Sequence, residues 1–272
     1  MPIPLQMVSH PASLFLILFC ATAVVTTLGA LVLREKIPLD AHARNNFNVI
    51  HAATLTLFGL LVGFTLSMSV SRYDSRKHDE QEEASAISTA YLRADLLGES
   101  AGVSIKSILL TYLDLRIRDY ATTDEGETKA IVRETERLQD RLWREVSSIG
   151  LTRSDPVMAT VIGSVNEVLN AQGYTQAAWR NRIPAGVWAL LLIIALLSSV
   201  MQGYIIRGPL KRNFSLLILP FSVSLSIALI ADIDSPRGGL IRVVPQNLTG
   251  LAASIAPTEA MRRLDPMPRS AP

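Results

Sequence analysis

Cysteine occurs once in the 272-residue chain, as Cys20 inside an apolar run. A single thiol excludes a disulfide framework within the chain and a cysteine-rich metal site, and in that run it reads as a buried apolar side chain. Charge is also scarce, at 18% of residues against 49% hydrophobic, which argues against a soluble protein and puts the membrane class first. The charges nearly cancel, 26 basic against 24 acidic, so no excess of one sign points to nucleic acid or makes an acidic tail.

Catalytic signatures are missing as well. His10, His42, His51 and His78 never fall within one helical turn of each other, and no serine stands in a Gly-x-Ser-x-Gly turn. No repeat, phosphate-cradling loop or dinucleotide motif occurs. The chain is expected not to be an enzyme and to hold no cofactor or metal. A metal site from His78, Asp79, Glu82 and Glu83 is the one sharper alternative, since His78 and Glu82 share a helix face.

What is present is apolar length. Four stretches suffice to cross a hydrocarbon core, which takes about 20 mostly apolar residues: Ser13 to Leu33, Val49 to Val70, Gly186 to Ile206 and Asn213 to Ala231. None carries Asp, Glu, Lys or Arg at its centre, where pumps and coupled transporters need an ionisable relay. Ala21-Thr22-Ala23 offers a small-residue cleavage site, but the apolar run continues to Leu33 and Met1 to His10 lacks Lys and Arg, so a retained helix is expected. Phe19 before Cys20 argues against a lipoprotein signal.

Short connections, Arg34 to Asn48 and Arg207 to Arg212, join the spans into two hairpins and put both chain ends and the middle region on one side. Basic residues flank both faces almost equally, so the positive-inside count does not choose the side. The expected divisions are a first hairpin over 1–70, a helical extramembrane domain over 71–185, a second hairpin over 186–231 and a partly disordered tail over 232–272. The fold class is an all-α membrane protein with that helical domain inserted between the hairpins.

The middle region repeats apolar residues at helical spacing: Ala84, Ile87 and Tyr91, then Ile105, Ile108 and Tyr112, then Ile131, Leu138, Leu142 and Ile149. Gly98 and Gly150 are expected to end helices, and Asp155-Pro156 to begin one. The charge run from Arg72 to Glu83 reads as a solvated continuation of the second span. Asp232 and Asp234 sit at a helix C-terminus, where the dipole disfavours acids, so Arg237 or Arg242 is expected to pair with them. Beyond Val243 only Leu248 to Ile255 has an amphipathic pattern.

The second span differs from the others. It places Thr54, Thr56, Thr65, Ser67, Ser69 and Ser71 among apolar residues, with Gly59 and Gly63 four apart, a spacing that lets a neighbouring helix approach closely. Its hydroxyls also have a bland reading, bonding to carbonyls one turn back. The string from Gly63-Phe64 to Arg72-Tyr73, followed by Asp74, resembles the bestrophin signature of Gly-Phe, a hydroxyl and aliphatic spacer, Arg and an aromatic. Asp234-Ser235-Pro236-Arg237-Gly238 is similar to the corner that ends the fourth bestrophin helix. Tyr91 to Leu97 and Gly238 to Val243 resemble segments of the bacterial bestrophin-like membrane family.

The resemblance implies a homopentamer in the lipid bilayer, its second helices surrounding a pore for small anions. The neck positions carried over are Thr56, Leu60 and Phe64, an apolar constriction that gates by dewetting, from which Thr56 departs. Where animal bestrophins carry an acidic calcium clasp, this chain has Gly239-Leu240-Ile241-Arg242, so calcium gating is not implied. The resemblance also implies a bacterial inner-membrane location with the termini and helical domain cytoplasmic. A non-conducting scaffold or sensor of the same fold is the competing expectation.

Overall fold

The computed structural model describes residues 11–33, 36, 40–153, 155–206 and 214–264. Both short connections, 34–48 and 207–212, and tail residues 265–272 lie wholly or partly outside them. Among the described residues all regular structure is helical. The helices are α1 (Pro11–Leu28), α2 (Ala41–Arg93), α3 (Glu99–Ala121), α4 (Glu125–Thr152), α5 (Pro156–Arg180), α6 (Ala185–Ile205), α7 (Ser215–Asp234) and α8 (Gln246–Leu264). A π-helical turn, Gly29–Leu33, follows α1, and a 3-10 turn, Ala94–Leu97, follows α2. Four helices are long and apolar enough to cross a membrane, the stretches containing α1, the first part of α2, α6 and α7.

The chain divides into two compact units, one of residues up to Tyr73 with Arg182–Arg242, the other of Asp74–Asn181 with the segment from Val243. In the first, α1 packs on α6 and α7. Phe58 of α2 joins Leu191, Ile194 and Ala195 of α6 and Val223 and Ile227 of α7 in its core. Gly29 and Gly203 set the approach of α1 and α6: a Cβ on Gly203 would overlap the Thr26 carbonyl, and one on Gly29 would crowd the Val200 carbonyl. Small residues bring backbones together where lipid supplies no hydrophobic drive. Buried Thr22 and Thr26 bond to carbonyls of their own helix, Leu18 at 2.7 Å and Thr22 at 2.8 Å.

In the second unit the expected stripes are the core. Ala84, Ile87, Tyr91, Ile105, Ile108, Tyr112, Ile131, Leu138 and Leu142 are buried, while Ile149 is half-buried and Val146 takes the inner position above it. Gly98 adopts φ +86, as its place between the 3-10 turn and α3 requires. Gly150 does not end its helix: α4 runs on to Thr152, and Arg153 leaves it in extended geometry. The Asp155 carboxylate caps α5 through the Met158 N–H at 2.8 Å, with Pro156 in the first turn.

Candidate functional site

Two features of α2 position everything that follows: its 53 residues form one unbroken helix, and its buried side is narrow. At about 100° per residue, His51, Phe58, Thr65, Ser69 and Arg76 return to one line, and all are buried. Thr56, Leu60 and Phe64 fall roughly opposite that line. Leu60 is 53% and Phe64 63% exposed, and Thr56 is exposed too. These three therefore share a face of α2 that no other described part of the chain covers. Gly59 and Gly63 are equally open, with nothing within 4 Å of a Cβ added to either. The close helix approach expected at these glycines is not made within one chain.

Four of the six hydroxyls of the span follow their bland reading. Thr54, Thr56, Thr65 and Ser69 bond to carbonyls one turn back, Thr56 to Ala52 at 3.0 Å. The hydroxyl of Thr56 is thus satisfied by its own helix. Below Phe64 the exposed face continues through Ser67, Ser71, Asp74, His78 and Glu82. His78 and Glu82 pair at 3.2 Å, both well exposed.

The charge run from Arg72 to Glu83 is not one solvated face. Arg76, Glu80 and Glu83 are buried on the inner side of α2, while Asp74, Lys77, His78 and Glu82 stay outside. Glu83 meets Arg116 of α3 through both carboxylate oxygens, and Arg116 also binds Asp119 at 2.7 Å. The hydroxyl of Thr175 on α5 donates to Glu83 at 3.2 Å, and the Tyr112 phenol reaches it at 3.5 Å. Burial pushes the Tyr112 phenol up, and the Glu83 charge adds to that. Burial alone would lower the Arg116 guanidinium, but Glu83 beside it outweighs burial and raises it, so Arg116 stays charged. Because Glu83 points inward to Arg116, it does not converge with His78 and Glu82 on a metal site. Asp79, partly buried, is raised by that burial and next by the charge of Glu82.

At the signature positions, Arg72 and Tyr73 are half-buried and Asp74 is exposed. The Arg72 Nη2 points at the Met68 sulfur at 3.7 Å. The corner after α7 is built on carboxylates. Asp232 accepts the Leu240 and Ile241 N–H groups at 2.8 and 3.0 Å, so backbone amides hold this acid. Gly239, at φ +89, passes so close that a Cβ there would overlap the Asp232 carboxylate. Asp234 is buried and accepts the Ile183 N–H at 3.3 Å, while the Gly238 N–H beyond half-buried Pro236 donates to Ser235 Oγ at 3.1 Å. Neither these backbone partners nor the Glu83 and Arg116 pair carries a sequence motif; hydrophobic spacing finds the core around them but not the pairing.

Four apolar helices of spanning length, with a helical unit inserted between the second and third, define a four-span, all-helical membrane protein. The Bestrophin-like domain family matches residues 17–248, and the chain belongs to that family. No curated protein matches it in sequence. Among solved structures it is similar in fold to a bacterial bestrophin homolog from Klebsiella pneumoniae. One crystal structure of that protein has 15% identity and a TM-score of 0.62, over 88% of this chain and 98% of that one. A tyrosine-to-alanine variant has 14% identity and a TM-score of 0.63, over 88% and 99%. A tryptophan-to-alanine variant has 14% identity and a TM-score of 0.65, over 90% and 94%.

Proposed function

We propose that copies of this chain, five by the resemblance to bestrophins, surround a shared axis in a bacterial inner membrane and form a passive ion channel. In this reading α2 faces the axis, Thr56, Leu60 and Phe64 make an apolar neck, and small anions of the chloride type pass. Residues 71–185 and both ends of the chain are assigned to the cytoplasmic side. The single observation that carries it is the uncovered face of α2, with Leu60 and Phe64 more than half exposed opposite the chain's own core. An apolar side chain exposed toward a partner copy is shielded in a ring, and a narrow apolar ring controls ions by excluding water. The Thr56 hydroxyl, bonded to Ala52, has less left to offer water, which suits it to that ring. Gly59 and Gly63 lie on the flank of the same face, open to close approach by a neighbouring α2.

In purified protein reconstituted in liposomes, Leu60→Ala and Phe64→Ala are expected to change chloride flux several-fold. Flux indifferent to both substitutions overturns the neck, and a ring of copies with no flux at all favours the non-conducting scaffold.

One observation favours a second reading of selectivity. Beyond Phe64 the uncovered face carries Asp74 and Glu82 with His78 between them, so repeated copies would line the wider passage with carboxylates. Such rings favour cations. The sign of the reversal potential across a potassium chloride gradient separates the two, and Asp74→Asn with Glu82→Gln shifts it toward anions only under the second.

A further inference from the structure

Two buried carboxylates bring arginines together at one end of the spans. Asp234, the last residue of α7, accepts the N–H of Ile183 at 3.3 Å, which holds Arg182 just ahead of α6. Asp232 accepts the N–H groups of Leu240 and Ile241, which holds Arg242 beside them. All of these residues belong to the compact unit of the spans. Its other acids, Glu35 and Asp40, precede the second span in sequence, at the other end of it. The charge left at the surface here is therefore of one sign: Arg182 and Arg242 are exposed, and Arg72 and Arg237 are half-buried, whereas Asp232 and Asp234 are buried. The turn before Arg242 has an apolar outer side. With the Leu240 and Ile241 amides tied inward to Asp232, their side chains point out, Leu240 86% and Ile241 36% exposed. Those two N–H groups are satisfied, so they do not oppose contact with lipid. The surface lies where the spanning part of α6 begins and α7 ends, the level at which helices leave the hydrocarbon. Half-buried Trp188 in the first turn of α6 is a residue type favoured at that level.

We propose that Arg182, Arg242 and the turn between Gly238 and Arg242 bind anionic phospholipid headgroups of the leaflet at this end of the spans. The guanidinium groups donate to phosphate oxygens, and Leu240 with Ile241 enters the acyl boundary beside them. Exposed aliphatic side chains flanked by arginines match a surface that is apolar beneath and negative at its face. Asp232 and Asp234 touch no lipid. They position the site: by tying both arginine-bearing segments to one helix end they fix the cations in advance, so that binding has less to order. The surface depends on the four spans and not on conduction.

The test titrates the full chain in uncharged detergent with phosphatidylglycerol or phosphatidylcholine of equal chain length. Native mass spectrometry counts the bound lipid and also reads the number of copies. The unsubstituted protein is expected to prefer the anionic lipid. Arg182→Gln and Arg242→Gln each lower that preference about fivefold, and the two together remove it. Arg242→Lys, which keeps the charge, retains most of it. Arg141→Gln, at an exposed arginine of α4 in the other unit, leaves it unchanged. Leu240→Ser weakens binding of both lipids alike, and binding indifferent to it overturns the apolar anchor. Equal binding of the two lipids by the unsubstituted protein, or a preference that survives the double glutamine substitution, overturns the site. Displacement of the lipid by glycerol phosphate at equal concentration overturns it as well, by assigning the arginines to a soluble phosphate. A change in copy number on Leu240→Ser does the same, because another copy of the chain then covers the turn.

Discussion

Glu83, Arg116 and Asp119 put two negative charges and one positive into the interior of a helical unit, each 1% exposed or less. Taking such groups from water is costly, and the arrangement holds because every member has partners: Arg116 binds both acids, and Thr175 and Tyr112 reach Glu83. Removing the cation leaves two buried carboxylates uncompensated. Arg116→Ala is expected to cost about 3–5 kcal/mol of stability, read from denaturant unfolding of the helical signal, whereas Tyr112→Phe, which removes hydroxyl contacts to Glu83 and Gln139 but leaves the ion pair whole, costs less. The glycines teach a related lesson at this scale. Gly59 and Gly63 attract notice by their spacing, yet within the chain they are open, and the glycines at tight contacts are Gly29, Gly102, Gly203 and Gly239, which no spacing marks.

Helix ends were the most readable parts of the elements, because caps are local chemistry. Asp155 before Pro156 predicts the start of α5, and the carboxylate does accept the Met158 N–H. Gly150 misleads for an equally physical reason: a glycine permits a helix stop but does not compel one, and α4 continues for two more residues while Ile162 and Met158 pack beside that glycine. Asp155 is held below the usual carboxylate range, chiefly by Arg153 and next by the Met158 N–H. A carboxylate depressed in the folded state adds stability that is present above its unfolded pKa, near ~3.9, and is lost as pH falls through the lower folded value. Amide protection at the start of α5, corrected for intrinsic exchange, is therefore expected to hold down to about pH 4 and fall below it. Asp155→Ala should remove the protection at every pH.

For the whole molecule, the proposed channel sets further copies of the chain against the uncovered face of α2. A particle count of five in detergent, by native mass spectrometry or imaging along the axis, is the expected outcome. A monomer that still conducts would overturn the assembly. The four spans, the helical character of the middle region and the resemblance to bestrophins were legible in the sequence, because length, apolar content, helical spacing and local signatures depend on neighbours along the chain. Which side of α2 turns inward was not, since a span apolar all round shows no preferred face until Phe58 meets α6 and α7. The same holds for the acids. Sequence alone reads Glu80 and Glu83 as part of a solvated charge run and gives Asp232 a nearby arginine as its expected partner. Only the tertiary structure brings Arg116 and the first amides of α8 to the two glutamates, because those partners lie 33 and 167 residues along the chain, and the turn at Gly239 comes back to Asp232 only once the chain has left α7.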